Sequence, residues 1–360
     1  MVGRVPGSRA LSVVFLSGVV AILSVSPVGA SGPASAAAGT NVGVQVGAAR
    51  NQQRTIRYWT ETRMRRAQPR PTPDTSRARP TRALDASAGR DPVYVRADRP
   101  AVTISGNVPT VTAVTAGYDY PYPYTRRALE TQLYLVQPYR AIGKVFMHQN
   151  GSDYVCSGSS VVSAPRQVVV TAGHCLTDGA GHWSSKVLFV PAYLNGAGPY
   201  GVFPAKVLWA QAGWINGADS SYDVGIFSVG KNGAGRTLQA SVGALGFAAD
   251  QSRVQHWDAF VYPAGSPFNG ETMQVCEASH AYDDAAVGGG ADTIGIGCDM
   301  TGGSSGGPWI IALRRGSYIN GLNSYGYDAE PGAMYSPYFS SDTNALRCSA
   351  ATGDPLALTC

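Results

Sequence analysis

The sequence predicts an all-β body of two antiparallel barrels or sandwiches, carried behind a basic N-terminal arm. Three observations lead there. Gly 44 and Pro 23 make up about a fifth of the 360 residues and are scattered without period, which suits turns between strands and excludes helical bundles and collagen. Hydrophobic residues at 44% belong to a globular chain, not a disordered tail. After residue 127 the pattern settles into short apolar runs divided by Gly, Asn, Asp and Pro, in two groups of about six.

Taken in order, the chain opens with Arg4 and Arg9, an apolar run over 10–25, Pro27 and the small triplet Val28-Gly29-Ala30. That is the layout of a secretory signal over residues 1–30, and the run is too short for a bilayer span. No later segment is apolar enough to cross a membrane. The reading is an exported, extracellular protein with no membrane contact once the signal is cut.

Up to residue 127 there are 17 Arg against six Asp+Glu, and afterwards 11 Lys+Arg against 17 Asp+Glu. A basic arm on an acidic body is also a nucleic-acid pattern, but the export signal argues for a pro-segment, residues 31–127, that docks on the body partly by charge. Within it, 50–67 suits one basic helix around Ile56, Tyr58, Trp59 and Met64. Residues 66–82, with Pro69, Pro71, Pro73 and Pro80, suit a linker. Residues 102–114 alternate Val and Thr like a strand. Residues 118–124 (YDYPYPY) should be extended, leading to the dibasic pair Arg126-Arg127 as a processing point.

The body, 128–360, divides at Lys231-Asn232-Gly233-Ala234-Gly235-Arg236 into a first half, 134–235, and a second, 236–341, followed by a tail, 342–360. Strands are expected at 141–148, 154–162, 167–171, 187–193, 202–209 and 224–229. A second set is expected at 241–247, 256–262, 272–281, 293–298, 308–313 and 318–325. All six cysteines lie in the body: Cys156, Cys175, Cys276, Cys298, Cys348 and Cys360. An even number in an exported chain suggests three bridges, for which sequential pairing is the simplest of the open arrangements. No C-x-x-C or H-x-x-x-H spacing occurs, so neither a metal nor another cofactor is expected.

Two segments stand out for chemistry. Thr171-Ala172-Gly173-His174-Cys175 follows the apolar run 168–170, and Gly302-Gly303-Ser304-Ser305-Gly306-Gly307-Pro308 leads straight into Trp309-Ile310-Ile311. Between them, Tyr222-Asp223-Val224-Gly225-Ile226 puts a carboxylate at the mouth of an apolar strand. In the order His, Asp, Ser, the chain from about 133 to 341 resembles the chymotrypsin-like (trypsin-fold) serine peptidases. The Gly-Gly-Ser-Ser variant and the stretch 261–263 are most similar to the bacterial branch that includes glutamyl endopeptidases. The resemblance implies two six-stranded antiparallel β-barrels with the active site in the cleft between them.

It also assigns roles. Ser305 is the implied nucleophile, inert unless a base takes its proton. His174 is that base, and Asp223 orients it. The N–H groups of Gly303 and Ser305 form the implied oxyanion hole. Asp178 and Asp219 are rivals to Asp223, one too local to His174 and the other without a following strand. A Cys156–Cys175 bridge matches one in the family, and Ser324 matches a serine that contacts the aspartate. The substrate's P1 side chain would be walled by 299–303 and 323–326, making Asp299, Asn323, Ser324 and Gly326 the substrate-binding candidates. Asp299 stands six residues before Ser305, where trypsin-like enzymes place the carboxylate that binds Arg or Lys, so a basic P1 residue is expected.

There are departures. Ser304 replaces the aspartate that pairs with a newly freed N-terminus in trypsin-type enzymes, and no Ile-Val-Gly-Gly start follows Arg127. Asn323 replaces the substrate-reading histidine of glutamyl endopeptidases. The combined expectation is a secreted, monomeric serine endopeptidase that hydrolyses peptide bonds through an acyl-enzyme. It is made as a zymogen, with protein or peptide substrates and its own pro-segment as partners, and no nucleic acid. The alternative is a catalytically silent, protease-like binding protein. An esterase would need a G-x-S-x-G elbow with the histidine after the serine.

Overall fold

The computed structural model describes residues 42–46, 52–71, 73, 82–83, 92–96, 122–163, 167–285, 289–313 and 315–360. The chain divides into two units, Met1–Gly32 and Pro33–Cys360, and every described residue belongs to the second. The expected signal, the strand expected at 102–114 and most of 118–124 lie outside the described residues. Among those described, no helix is long and apolar enough to cross a membrane.

The arm contributes short pieces: β1 (Val42–Val46), α1 (Gln52–Tyr58), α2 (Glu61–Arg66), β2 (Gln68–Pro69), β3 (Arg82–Ala83), β4 (Val93–Val95) and β5 (Tyr124–Ala128). The single helix expected over 50–67 breaks at Trp59-Thr60, because the Thr60 hydroxyl accepts from Arg63 N–H and starts α2 afresh. The expected linker contains β2.

The body begins with β6 (Ile142–Gln149), β7 (Ser152–Val161), β8 (Val168–Ala172), the short helix α3 (Gly173–Leu176), β9 (Ser185–Pro191), β10 (Phe203–Gln211), α4 (Ala212–Gly217) and β11 (Val224–Val229). The sheet runs β10-β11-β8-β7-β6-β9, and β9 pairs back to β10, closing a six-stranded antiparallel barrel. Inside it, side chains such as Val145, Val169, Phe189, Phe203 and Phe227 are fully buried. This is the first expected barrel.

After α5 (Leu238–Val242) come β12 (Gly246–Ala249), β13 (His256–Val261), β14 (Gln274–Asp284), β15 (Thr293–Gly297), β16 (Pro308–Ile311), β17 (Tyr318–Leu322), β18 (Tyr325–Tyr327) and β19 (Glu330–Ser336). They form a second sheet in the order β12-β17-β16-β13-β14-β15-β19-β18 around Trp257 and Trp309. The two-barrel fold is therefore present, with eight body strands in the second sheet where six were expected. The run 241–247 is mainly helix end and turn, and only Gly246-Phe247 enter β12. A short apolar run cannot by itself be told from a buried helix segment.

The tail is not a passive extension. Its main element is α6 (Ser341–Thr352), started by a capping box between Ser340 and Thr343. Leu346 and Ala350 of α6 are buried in the core of the first barrel. The cysteines pair sequentially, Cys156–Cys175, Cys276–Cys298 and Cys348–Cys360.

The boundary expected after Arg127 falls inside β5, whose residues pair one by one with β14, Gln274 opposite Ala128 and Ala278 opposite Tyr124. Arg126 and Arg127 are both held in ion pairs, with Asp299 and Glu277. The bond after Arg127 is thus part of a ladder on the second sheet.

Candidate active site

The turn at the end of β8 carries His174 as the second residue of α3. Asp223, just before β11, reaches it because β8 and β11 are neighbours, with Val224 opposite Ala172. The Asp223 carboxylate is completely buried and holds His174 twice. Oδ1 accepts the backbone N–H of His174 at 2.7 Å, and Oδ2 lies 2.7 Å from Nδ1. Ser324 Oγ donates to the same Oδ2 at 2.5 Å. Trp214 packs its ring edgewise on the imidazole at 6.0 Å. Gly173 is required by this closeness: a Cβ there would stand 2.9 Å from Asp223 Oδ1. Nδ1 is thereby committed, which leaves Nε2 as the working nitrogen; it is buried and without a partner.

Ser305 lies on the turn before β16. Gly303 sits at φ +92, where a side chain would be strained and would strike Ala264. The turn is pinned from both barrels. From the first, Ser157 N–H donates to the Ser305 carbonyl at 2.8 Å, and Ser157 Oγ donates to the Gly303 carbonyl at 3.0 Å. From the second, Gly306 N–H donates to the Asn323 carbonyl at 2.7 Å. Cys175 Sγ, one residue past the histidine, lies 3.9 Å from the Ser305 carbonyl oxygen. The N–H groups of Gly303 and Ser305 have no acceptor among the described residues, and Ser305 Oγ is buried without a partner.

The structure therefore brings His174, Asp223, Ser305, Gly303 and Ser324 together. The rivals of Asp223 are occupied elsewhere. Asp178 accepts from the N–H groups of Ala180 and His182 and braces its own loop, and Asp219 accepts from Ser221 N–H.

The substrate-binding candidates fare differently. Ser324 serves the aspartate. Asn323 is fully buried; its Oδ1 accepts from Trp309 Nε1, its backbone braces the turn, and Nδ2 is left without a partner. Gly326 is half-exposed on β18. Asp299 is not an open carboxylate: Arg126 Nε sits 2.8 Å from Oδ1, and Arg126 also covers the Phe268 ring. No local pattern marks this pair, because its members are 173 positions apart. Ser157 and Trp214 were missed for the same reason. Ser304 is buried with an unpartnered Oγ.

Neither of the two cavities of note, about 230 Å³ beside Lys206 and Lys231 and about 350 Å³ beside Arg126 and Phe268, includes Ser305 or His174. The arm reaches the nucleophile turn. Pro69 and Arg70 of the arm lie against Gly302, where a Cβ would stand 3.2 Å from Pro69 Cβ and 3.3 Å from the Arg70 carbonyl oxygen.

No family model matches the chain. Among solved structures it is similar to the protease Anisep of Arthrobacter nicotinovorans, at 39% identity and TM-score 0.57, over 63% of this chain and all of that one. It is similar also to AL20, a thermostable serine protease from an extremophilic microorganism, at 39% identity and TM-score 0.55, over 59% of this chain and 98% of that one. Among curated proteins, an extracellular metalloprotease of Bacillus subtilis (strain 168) is 31% identical over 90 residues, which span 24% of this chain and 28% of that relative. The word metalloprotease raises the question of a metal. Among the described residues, the grouping of metal-type donors is Cys156, His174 and Cys175. The two sulfurs are bonded to each other and Nδ1 of the histidine is committed to Asp223, so these residues do not fit a metal ion.

Proposed function

We propose, from the premise that this chain belongs to the chymotrypsin-like serine protease family, that it is a secreted endopeptidase working through Ser305, His174 and Asp223. In this reading Ser305 Oγ attacks the peptide carbonyl while His174 Nε2 takes its proton. Asp223, by accepting from Nδ1, holds the ring in the tautomer that leaves Nε2 basic and then stabilises the imidazolium. The carbonyl oxygen, turning negative, receives the N–H groups of Gly303 and Ser305; one such donor is worth about 3 kcal/mol of barrier. His174 returns the proton to the departing amine, the acyl group stays on Ser305, and water releases it by the same steps.

The observation that carries the reading is a set of unused groups converging from two barrels. Among the described residues, two N–H donors, one hydroxyl and one imidazole nitrogen are all left without partners on a turn and helix whose backbone is pinned from both barrels. Unpaired buried polar groups are costly, and functional sites are where that cost is kept.

Residues 1–30 are proposed as a removed signal and the arm as a pro-segment, with the junction before β5. The 63% of this chain that matches all of Anisep is close to the share occupied by the body, which supports that division. The test is labelling of the processed protein with a fluorophosphonate. Label on Ser305, absent from Ser305→Ala, is expected; no label on a folded processed protein would instead indicate a silent binding protein.

A further inference from the structure

We infer that residues 52–70 are a built-in competitor for the leaving-group side of the cleft, clamped by Trp59 and laid along β7 where the residues after a substrate's scissile bond would lie. The inference rests on the reading of Ser305 as nucleophile and adds the regulation of that site.

The clamp is on the page residue by residue. Trp59 is buried between the arm and the first barrel, donates Nε1–H to the Lys186 carbonyl at 2.5 Å and packs on Phe146. Tyr58 OH donates to Asp153 at 2.6 Å, and Arg63 Nε pairs with the other oxygen of Asp153 at 2.6 Å while its guanidinium covers the Tyr58 ring. His148 Nδ1 lies 2.8 Å from Asp153 as well. α1 and α2 are thus fastened to the β6–β7 hairpin.

From α2 the chain runs directly into the cleft. β7 pairs with β6 over Ser152–Ser159, but β8 covers only Ser159–Val161 of its other edge. β2 takes the edge left open, Gln68 opposite Tyr154 and Pro69 opposite Val155, and Arg70 N–H donates to the Val155 carbonyl at 3.1 Å. Two residues further along β7, Ser157 N–H holds the carbonyl of Ser305 itself. On the other side Pro69 and Arg70 rest on Gly302, next to the oxyanion donor Gly303.

The side of the cleft follows from β7, the strand that β2 pairs with. It carries Cys156, whose bridge to Cys175 adjoins His174, the residue that protonates the leaving amine in the proposed mechanism, while the contact with Gly302 brings the segment up to the nucleophile turn. Main-chain pairing to an open strand edge is how extended peptides are commonly held, and it is indifferent to most side chains. Arg70 confirms that the fit is backbone-led: its guanidinium has no ion pair among the described residues, and burial pulls it below its ordinary pKa. The reactive atoms, Ser305 Oγ and His174 Nε2, are meanwhile shut from solvent.

The test uses the full chain, its processed form and a synthetic peptide of residues 52–71. The full chain should react with a fluorophosphonate at least tenfold more slowly than the processed form, and Trp59→Ala in the full chain should close most of that gap. The peptide should inhibit the processed form in competition with substrate. Trp59→Ala in the peptide should weaken inhibition at least tenfold, while Arg57→Ala, which truncates an exposed side chain of α1 instead, should not. Equal labelling of full and processed chains, or equal loss from Trp59→Ala and Arg57→Ala, overturns the inference. Processed protein labelled at Ser305 but untouched by the peptide sinks the competitor alone; processed protein that never labels sinks the proposed function first.

Discussion

Arm and body meet the same problem, the unsatisfied edge of a β-sheet, in opposite ways. The body satisfies most of its edges internally: β9 returns to β10 and closes the first barrel, leaving stretches of β7 and β10 for the arm. The arm strands β1 to β4 are two to five residues long, and each borrows an edge from the body, β1 on β10, β2 on β7, β3 on β14 and β4 on β12. Body strands are buried through most of their length, while arm strands keep exposed or half-exposed side chains. The body is thus held by its core and the arm by a few clamps plus main-chain bonds. A structure built that way can shed one part without unfolding the other.

The largest expected effect separates chemistry from docking. Ser305→Ala should lower kcat/KM of the processed enzyme by about four to six orders of magnitude, with folding unchanged. Docking of the arm in that variant, followed by amide exchange across 52–70, should match the parent. Altered exchange there would mean that arm and nucleophile are not independent parts.

Next in size is the clamp. Trp59→Ala removes a buried indole and its hydrogen bond, worth about 3–5 kcal/mol. The loss should appear as faster exchange of arm amides, with the urea midpoint of the body unmoved. A matching fall in the body midpoint would make the arm part of the core.

A carboxylate shared across the boundary sharpens the contrast. Glu271 lies 4.0 Å from both Lys144 of β6 and Arg65 of α2. Lys144 is almost fully buried, and desolvation pushes it down to about 8, against the opposing pull of Glu271. Its folded pKa is below the unfolded value, so the penalty is complete below pH 8 and fades as pH rises toward 10.5. Lys144→Met should therefore stabilise the protein by up to about 3 kcal/mol at pH 7, with no gain left above about pH 10.5. Arg65→Ala, exposed in the arm, should leave stability unchanged. Denaturant melts at pH 7 and 10.5 decide it.

The smallest effect concerns specificity. With Asp299 paired to Arg126, substrates with Arg at P1 should be favoured over Leu by no more than a few fold, and Arg126→Gln should raise kcat/KM for Arg substrates by about tenfold by freeing the carboxylate. A strong basic preference in the parent would return Asp299 to an open pocket.

These differences also mark what was legible in the sequence. His174, Asp223 and Ser305 announce themselves because each sits in a local pattern, a glycine-rich turn or a strand mouth, that its geometry demands. The first barrel was readable strand by strand because its runs are apolar and cleanly bounded. The second was less so, since Leu238–Val242 looks alike as helix or strand and β19 mixes Glu, Pro and Gly into its start. Arm docking was legible only as charge. What fixes it is a slot for one tryptophan and a free edge on β7, and neither exists until the barrel has closed. The Arg126–Asp299 pair, which ties the expected processing point to the expected pocket carboxylate, depends on β5 reaching β14.

The position of α6 sets an order of events. Leu346, Ala350 and the preceding Phe339 join the core that the first barrel shares with Phe247 of β12, though they follow both barrels in the sequence. The half that carries His174 and Asp223 therefore lacks part of its packing while both barrels already exist as chain. Synthesis runs from the N-terminus, so the arm emerges before the barrel it covers and α6 emerges after both barrels. By the time α6 docks, the segment proposed to block the cleft is already in place to do so.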